Sequence, residues 1–209
     1  MKNIIEHLIN EKIVAVLRLS TQEKASKSID AVIEAGFKFI EITLTIPNAY
    51  DIISNKLTKY KNSDVIIGAG TVTSIEQAKK VIELGCKYIV APDFNLDISN
   101  YAKDLNIVYI PGVMTINEIV NVMNHGWEIV KLFPGNNYTP GFIKSVLAPF
   151  PNFKIMVTGG VDINNLNDWL NAGSVAVGIG GNLTIDIEKD NNYNNCVKIA
   201  KQFISKVNQ

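Results

Sequence analysis

Two charged residues stand alone inside apolar runs: Glu41 between Ile40 and Ile42, and Lys131 in Ile129-Val130-Lys131-Leu132-Phe133-Pro134. Successive side chains of a strand alternate faces, so each charge points away from its aliphatic neighbours. If those aliphatics pack outward beneath helices, both charges face one interior, where an unpaired charge is costly. Burial disfavours the ammonium form of a lysine and supplies the neutral amine that attacks a carbonyl to give a Schiff base. A carboxylate beside it offers the general acid and base that carbinolamine dehydration and enamine protonation require. The plainer alternatives are a lysine at a strand end reaching water, and a structural ion pair of Glu41 with Lys131 or Arg18.

Glycine loops supply the second kind of chemistry. Gly159-Gly160 and Gly180-Gly181-Asn182 follow the last two apolar runs, where backbone N–H groups can hold an anion such as a phosphate. Either pair alone also reads as a tight turn. Gly68-Ala69-Gly70-Thr71 is a turn with a helix cap, or places Thr71 to donate to a substrate carboxylate. Arg18, ending the first run, is a further carboxylate partner through bidentate pairing. His7, on an amphipathic N-terminal segment, and His125, before Gly126, read as surface residues.

The elements that must position these residues alternate along the whole chain. Apolar or β-branched runs fall at 13–17, 37–42, 65–67, 88–90, 107–110, 129–133, 155–157 and 175–179. Between them lie helical patterns such as 22–35, 75–84 and 116–124, with apolar positions three and four apart and Ser or Thr near their starts. Regular strand–helix alternation predicts a parallel sheet. Gly36, Gly85, Gly126 and Gly173 precede the even-numbered runs and suit the left-handed position that ends a helix. The odd runs instead finish in glycine loops: Gly68-Ala69-Gly70, Pro111-Gly112-Val113 and Thr158-Gly159-Gly160. Two alternating kinds of unit predict a fourfold repeat. The expected fold is a compact α/β (β/α)8 TIM barrel over residues 1–209 as a single domain, with an extra N-terminal helix, rather than a doubly wound open sheet. The Asn-rich stretch 190–195 reads as the loop before a closing helix.

Composition excludes several function classes. In 209 residues, 20 basic side chains balance 20 acidic ones and 47% are hydrophobic. A balanced charge without a basic run argues against nucleic acid as a partner. No apolar run approaches the roughly 20 residues of a membrane span, and the first 11 residues lack the apolar core of a signal peptide. Cys86 and Cys196 form no C-x-x-C pair and read as free thiols in a reducing compartment. A cytoplasmic protein that needs no structural metal is expected.

Taken together and in order, Glu41-Ile42-Thr43-Leu44-Thr45, Gly68-Ala69-Gly70-Thr71-Val72, Lys131-Leu132-Phe133-Pro134, Thr158-Gly159-Gly160 and Gly178-Ile179-Gly180-Gly181 resemble the 2-keto-3-deoxy-6-phosphogluconate (KDPG) aldolases. That family includes 4-hydroxy-2-oxoglutarate (KHG) aldolases, and the resemblance covers almost the whole chain. It implies a class I, metal-independent aldolase of the Entner-Doudoroff type, a homotrimer of barrels, releasing pyruvate and glyceraldehyde 3-phosphate. Under the resemblance Lys131 matches the Schiff-base lysine, Glu41 the proton-transferring carboxylate, Thr71 a contact to the pyruvate moiety and Phe133 the aromatic beside its methyl. Gly159, Gly160, Gly180 and Gly181 match the phosphate cradle. Thr45 stands where some members carry a carboxylate-binding arginine, a duty that passes to Arg18. Asn182 stands where many have serine, and its amide can still donate. Thr158 is the residue type of the gluconate enzymes rather than their galactonate relatives. The alternatives are the same chemistry on 4-hydroxy-2-oxoglutarate or the galactonate epimer, and a non-catalytic barrel binding a phosphate ligand. A phosphosugar isomerase or a thiamine-phosphate-type synthase explains the buried lysine less well.

Overall fold

The computed structural model describes residues 1–208. Helix α1 (Lys2–Glu11) leads into β1 (Ile13–Leu17), α2 (Gln22–Ala35), β2 (Phe39–Thr43), α3 (Ala49–Lys59), β3 (Ile66–Gly70), α4 (Ile75–Leu84), β4 (Tyr88–Val90) and α5 (Leu96–Asp104). The second half comprises β5 (Val108–Ile110), β6 (Gly112–Val113), α6 (Ile116–Asn124), β7 (Ile129–Leu132), α7 (Pro140–Leu147), β8 (Lys154–Thr158), α8 (Leu166–Asn171), β9 (Ala176–Ile179), α9 (Gly181–Asp190) and α10 (Tyr193–Val207). All strand pairs are parallel, in the order β5-β4-β3-β2-β1-β9-β8-β7-β6.

Proline closes this sheet into the expected barrel. Pro111 has no N–H to give a ladder, so the strand that contains it is split into β5 and β6. Its first half pairs with β4, Ile110 opposite Val90, and its second half with β7, Gly112 opposite Lys131. The Pro111 carbonyl accepts from the Lys131 N–H at 2.8 Å. One extended segment thus bridges the two edges, and the wall has eight barrel positions.

Alternation along each strand produces two apolar layers. Ile40, Ile42, Val130, Leu132, Val177 and Ile179 point outward against the buried faces of the helices, with Ile29, Val32, Ile143 and Phe203 among their partners. Val14, Val16, Phe39, Tyr88, Val90, Ile110, Ile129 and Met156 point inward. Ile5 and Leu8 of α1 join that inner cluster and plug the end of the barrel where the strands begin. His7 lies there too, its ring edge 5.2 Å from Phe39, half-buried rather than on the open surface.

Helix ends follow local chemistry. Thr21, Ser74 and Thr115 accept from backbone N–H groups of the first turns of α2, α4 and α6. Gly36, Gly85, Gly126 and Gly173 are left-handed, with φ from 74° to 115°. Three expected boundaries shift. Strand β2 starts at Phe39, two residues late, because Phe37 N–H is spent on Val32 O in the helix cap. The Asn-rich stretch gives up its last three residues to α10, since the Asn192 side chain caps that helix. The Gly68-Ala69-Gly70 stretch, expected as a loop, is the end of β3, with Gly68 opposite Glu41 and Gly70 opposite Thr43.

Candidate active site

Glu41 and Lys131 meet inside the barrel. Lys131 Nζ lies 3.3 Å from Glu41 Oε1, with the two side chains 7% and 0% exposed. Lys131 is carried inward by β7 and Glu41 by β2, both at the level where Gly112 and Gly68 sit opposite them on neighbouring strands. The Phe133 ring centroid stands 5.0 Å from Lys131 Nζ. Two buried oxygens have no protein partner here, Glu41 Oε2 and Thr158 Oγ1. Such atoms are expensive to leave unpaired in a core and natural in a site that receives a polar ligand.

Glycines open the space around the pair. A Cβ at Gly70 would lie 2.5 Å from Glu41 Cγ and 2.7 Å from Cδ. At Gly178 it would lie 2.5 Å from Thr158 Oγ1, and at Gly68 it would lie 2.6 Å from three ring atoms of Tyr88. Inward positions of β3 and β9 are therefore bare so that side chains from β2, β4 and β8 can lean over them. Tyr88 was not singled out by residue type, because an aromatic in a strand reads as core.

At the strand ends, Arg18 Nη2 donates to Thr71 Oγ1 at 3.2 Å, bringing together the two residues read as carboxylate contacts. Thr71 is left-handed, φ 59°, which turns the chain out of β3. Thr45 is exposed, and its hydroxyl pairs with Thr43 Oγ1 at 3.0 Å, which itself donates to Leu17 O. Gly159 and Gly160 are both left-handed, φ 94° and 74°, and lie against the segment after β7, where a Cβ at Gly160 would meet that of Asn136 at 2.6 Å. Gly180 precedes the first turn of α9, and a Cβ on Gly181 would meet nothing within 4 Å. Free N–H groups at such a helix start favour an anion. Asn182 Nδ2 donates to Val161 O at 3.0 Å, so one amide hydrogen ties the β8 loop to the β9 loop. Glu188 holds α9 against the loop after β1 by accepting from Ser20 N–H at 2.5 Å and Ser20 Oγ at 2.6 Å.

Elsewhere the chemistry is closed. Burial pushes the Cys86 thiol up to about 12 and the Cys196 thiol to about 11, so neither is a nucleophile near neutrality. Among the described residues no group of three or more His, Cys, Asp or Glu is placed to hold a metal ion, and no helix is long and apolar enough to cross a membrane. A cavity of about 570 Å³ lies at the plugged end, lined by Ile4, His7, Lys61, Asp64 and Lys87 among others, and shares no residue with the Lys131 site. The functional end of a barrel is the one where strands finish, which is where the pair, the threonines and the glycine loops converge.

A closed (β/α)8 wall with an ionisable pair sunk beneath glycine loops defines a barrel enzyme rather than an open-sheet nucleotide binder. Residues 4–199 match the model of the KDPG and KHG aldolase family, and the chain belongs to that family. It is an aldolase, a carbon–carbon lyase. A 2-dehydro-3-deoxy-6-phosphogalactonate aldolase of Escherichia coli (strain K12) is 32% identical over 172 residues, 82% of this chain and 83% of the relative. A 2-dehydro-3-deoxy-phosphogluconate aldolase of Haemophilus influenzae is 30% identical over 206 residues, 97% and 96% of the two chains. A solved structure of native KDPGal superposes with a TM-score of 0.86 at 28% identity, covering 94% of each chain.

Proposed function

We propose that this aldolase cleaves 2-keto-3-deoxy-6-phosphogluconate to pyruvate and D-glyceraldehyde 3-phosphate through a Schiff base on Lys131. The observation that carries the reading is the buried Lys131–Glu41 pair, 3.3 Å apart at the end of the barrel where strands finish. Lys131 Nζ attacks the C2 carbonyl, and Glu41 moves the protons that turn the carbinolamine into a protonated imine with loss of water. Glu41 then takes the proton of the C4 hydroxyl as the C3–C4 bond breaks. The bonding electrons flow into the imine, leaving an enamine on Lys131 and releasing the aldehyde. Protonation of the enamine at C3 and hydrolysis of the imine free pyruvate and the lysine.

The remaining roles follow the shape of the site. Arg18 and Thr71, already bonded to each other, hold the substrate carboxylate, with Thr45 at the rim. Phe133 borders the pyruvate methyl, and the otherwise unpaired Thr158 hydroxyl addresses the substrate hydroxyls. Gly159, Gly160, Gly180 and Gly181 present backbone N–H groups to the phosphate, and the second amide hydrogen of Asn182 adds a donor. The chemistry calls on no metal or other cofactor. The same reading makes the protein a cytoplasmic enzyme of an Entner-Doudoroff type of sequence. It also makes it a homotrimer, the assembly that the family resemblance implies.

A second reading keeps the chemistry and changes the C4 configuration. It is favoured by the 32% identity to the phosphogalactonate aldolase, while Thr158 favours the gluconate epimer. Initial rates of pyruvate release from the phosphogluconate, phosphogalactonate and 4-hydroxy-2-oxoglutarate substrates, measured side by side, decide it. The gluconate substrate is expected to have the highest kcat/KM, and a higher value for either competitor overturns that assignment.

A further inference from the structure

Thr43 carries a fully buried hydroxyl that the mechanism above leaves unused. Alternation along β2 puts it on the inward face with Phe39 and Glu41, one rung nearer the strand ends, opposite the bare Gly70 of β3. On its other side Leu17 of β1 pairs with Ile42, so Arg18 is the next residue in line beside Thr43. The Thr43 hydroxyl donates at 3.0 Å to Leu17 O, the carbonyl of the peptide that leads into Arg18. Its oxygen also lies 3.0 Å from Thr45 Oγ1. A hydroxyl has one hydrogen to give, and that of Thr43 is spent on Leu17 O, so Thr45 is the donor in this second bond. Thr45 therefore turns its hydrogen toward Thr43, which leaves the donors of Arg18 and Thr71 to meet an anion. Thr71 accepts from Arg18 Nη2 at 3.2 Å and so keeps its own hydroxyl hydrogen to donate. The chain beyond Arg18 is held as well: Leu19 is buried, and Ser20 gives its N–H and its hydroxyl to Glu188 at 2.5 and 2.6 Å.

We infer that Thr43 is a positioning residue for Arg18, fixing the Leu17–Arg18 peptide so that the guanidinium reaches Thr71 and the substrate carboxylate beside it. The inference rests on the aldolase reading and names the residue that aims its carboxylate contact. Arg18 is exposed, so packing does little to choose among its rotamers, and its direction depends on where its own backbone points. That backbone is set on both sides, by Thr43 before it and by the Ser20–Glu188 contact after it. The second anchor lies across the turn out of β1. Loss of the first therefore frees the Leu17–Arg18 peptide to rotate, and a side chain as long as arginine amplifies that rotation at its tip. The Thr43–Leu17 bond is buried, so water does not take its place when the hydroxyl is removed.

The test compares wild type, Thr43→Val and Thr43→Ser by kcat and KM for cleavage of 2-keto-3-deoxy-6-phosphogluconate, and by the pyruvate concentration that half-saturates borohydride trapping. Valine keeps the shape of threonine and removes the donor, whereas serine keeps the donor. Thr43→Val is expected to raise KM and the half-saturating pyruvate concentration about three- to tenfold, the worth of one hydrogen bond. Its kcat should change less than about twofold, because the reacting pair is untouched, and Thr43→Ser should restore both quantities. In an Arg18→Ala background the same valine should add nothing to KM. A merely structural threonine lowers the unfolding temperature of Thr43→Val without moving KM, or adds its effect to that of Arg18→Ala, and either result overturns the inference. Thr43→Cys, whose thiol is a weaker donor, keeps the test decisive where the valine variant fails to fold: a raised KM supports the role and an unchanged one defeats it. Trapping on the wild type separates the two levels. An adduct on Lys131 with unmoved KM in the variants defeats the Thr43 role alone, whereas a wild type that forms no adduct defeats the aldolase reading beneath it.

Discussion

Gly70→Ala should silence the site while leaving the barrel standing. Gly70 closes β3 without a left-handed backbone, so alanine meets no conformational objection. Its methyl, however, lands 2.5 Å from Glu41 Cγ. Restoring the 3.4 Å of ordinary contact requires Glu41 Cγ to move by about 0.9 Å, and Oε1, the atom nearest that methyl and the one paired with Lys131, to move further still. Glu41 is fully buried, so the shift cannot be absorbed into solvent and must alter the 3.3 Å geometry to Lys131. A misplacement near one ångström at reacting groups costs about 10²-fold, equivalent to roughly 2.7 kcal/mol of transition-state stabilisation. Overpacking costs about 1–3 kcal/mol of stability, which a barrel of this size survives. The assay is pyruvate release coupled to lactate dehydrogenase, alongside thermal unfolding. Gly141→Ala is the control, because its methyl would meet Thr139 Oγ1 at an ordinary 3.5 Å on the surface of α7. Wild-type kcat/KM in folded Gly70→Ala would refute the claim that the carboxylate acts from the position it occupies.

Three further outcomes follow from the same geometry. Glu41→Gln keeps the volume and removes the proton acceptor, and should lower kcat by roughly 10² or more with a pyruvate adduct still detectable. Arg18→Ala should raise KM for the keto acid by about tenfold or more while leaving thermal stability within about 0.5 kcal/mol, since the arginine is exposed and spends one bond on Thr71. Asp30 joins α2 to α3 by accepting from Lys56 and Tyr60 and pairing with Lys59 at 2.7–2.8 Å. Burial raises its carboxyl, but the hydrogen bonds from Lys56, Lys59 and Tyr60 outweigh that and hold it below the usual range. Its stabilisation is present above the unfolded value near 3.9 and is lost as pH falls through the folded value. Asp30→Asn should cost about 1 kcal/mol at pH 7, a figure discounted because the carboxylate is about one-third exposed, and the gap to wild type should narrow below about pH 4 in acid-unfolding curves.

The buried pairing of Glu41 with Lys131 was legible because alternation is a local rule. A charge flanked by Ile40 and Ile42, or by Val130 and Leu132, has to point the other way from them, and a parallel wall turns that into an interior. The barrel itself was legible from the regular glycine-ended helices, each of which carries its own capping signal. What needed the structure was register. Gly68-Ala69-Gly70 looks like a loop because glycine weakens a strand when judged alone, yet here its bareness is what lets Glu41 and Tyr88 lean across. Pro111 looks like the end of a strand, and only its two different neighbours reveal it as the point where the wall closes. Asn182 stands at a helix start, but its bond to Val161 O depends on a loop 21 residues away. Tyr88 carries no signal at all until the residue opposite it is known to be glycine.

Lys131 should form a covalent imine with a 2-keto acid, which borohydride reduction in the presence of pyruvate, followed by intact-protein and peptide mass spectrometry, would trap. One reduced pyruvate adduct per chain is expected, located on the peptide containing Lys131 and lost in Lys131→Ala together with turnover. A folded protein in excess pyruvate that gains no adduct, or a Lys131→Ala variant that retains near-normal activity, would contradict it.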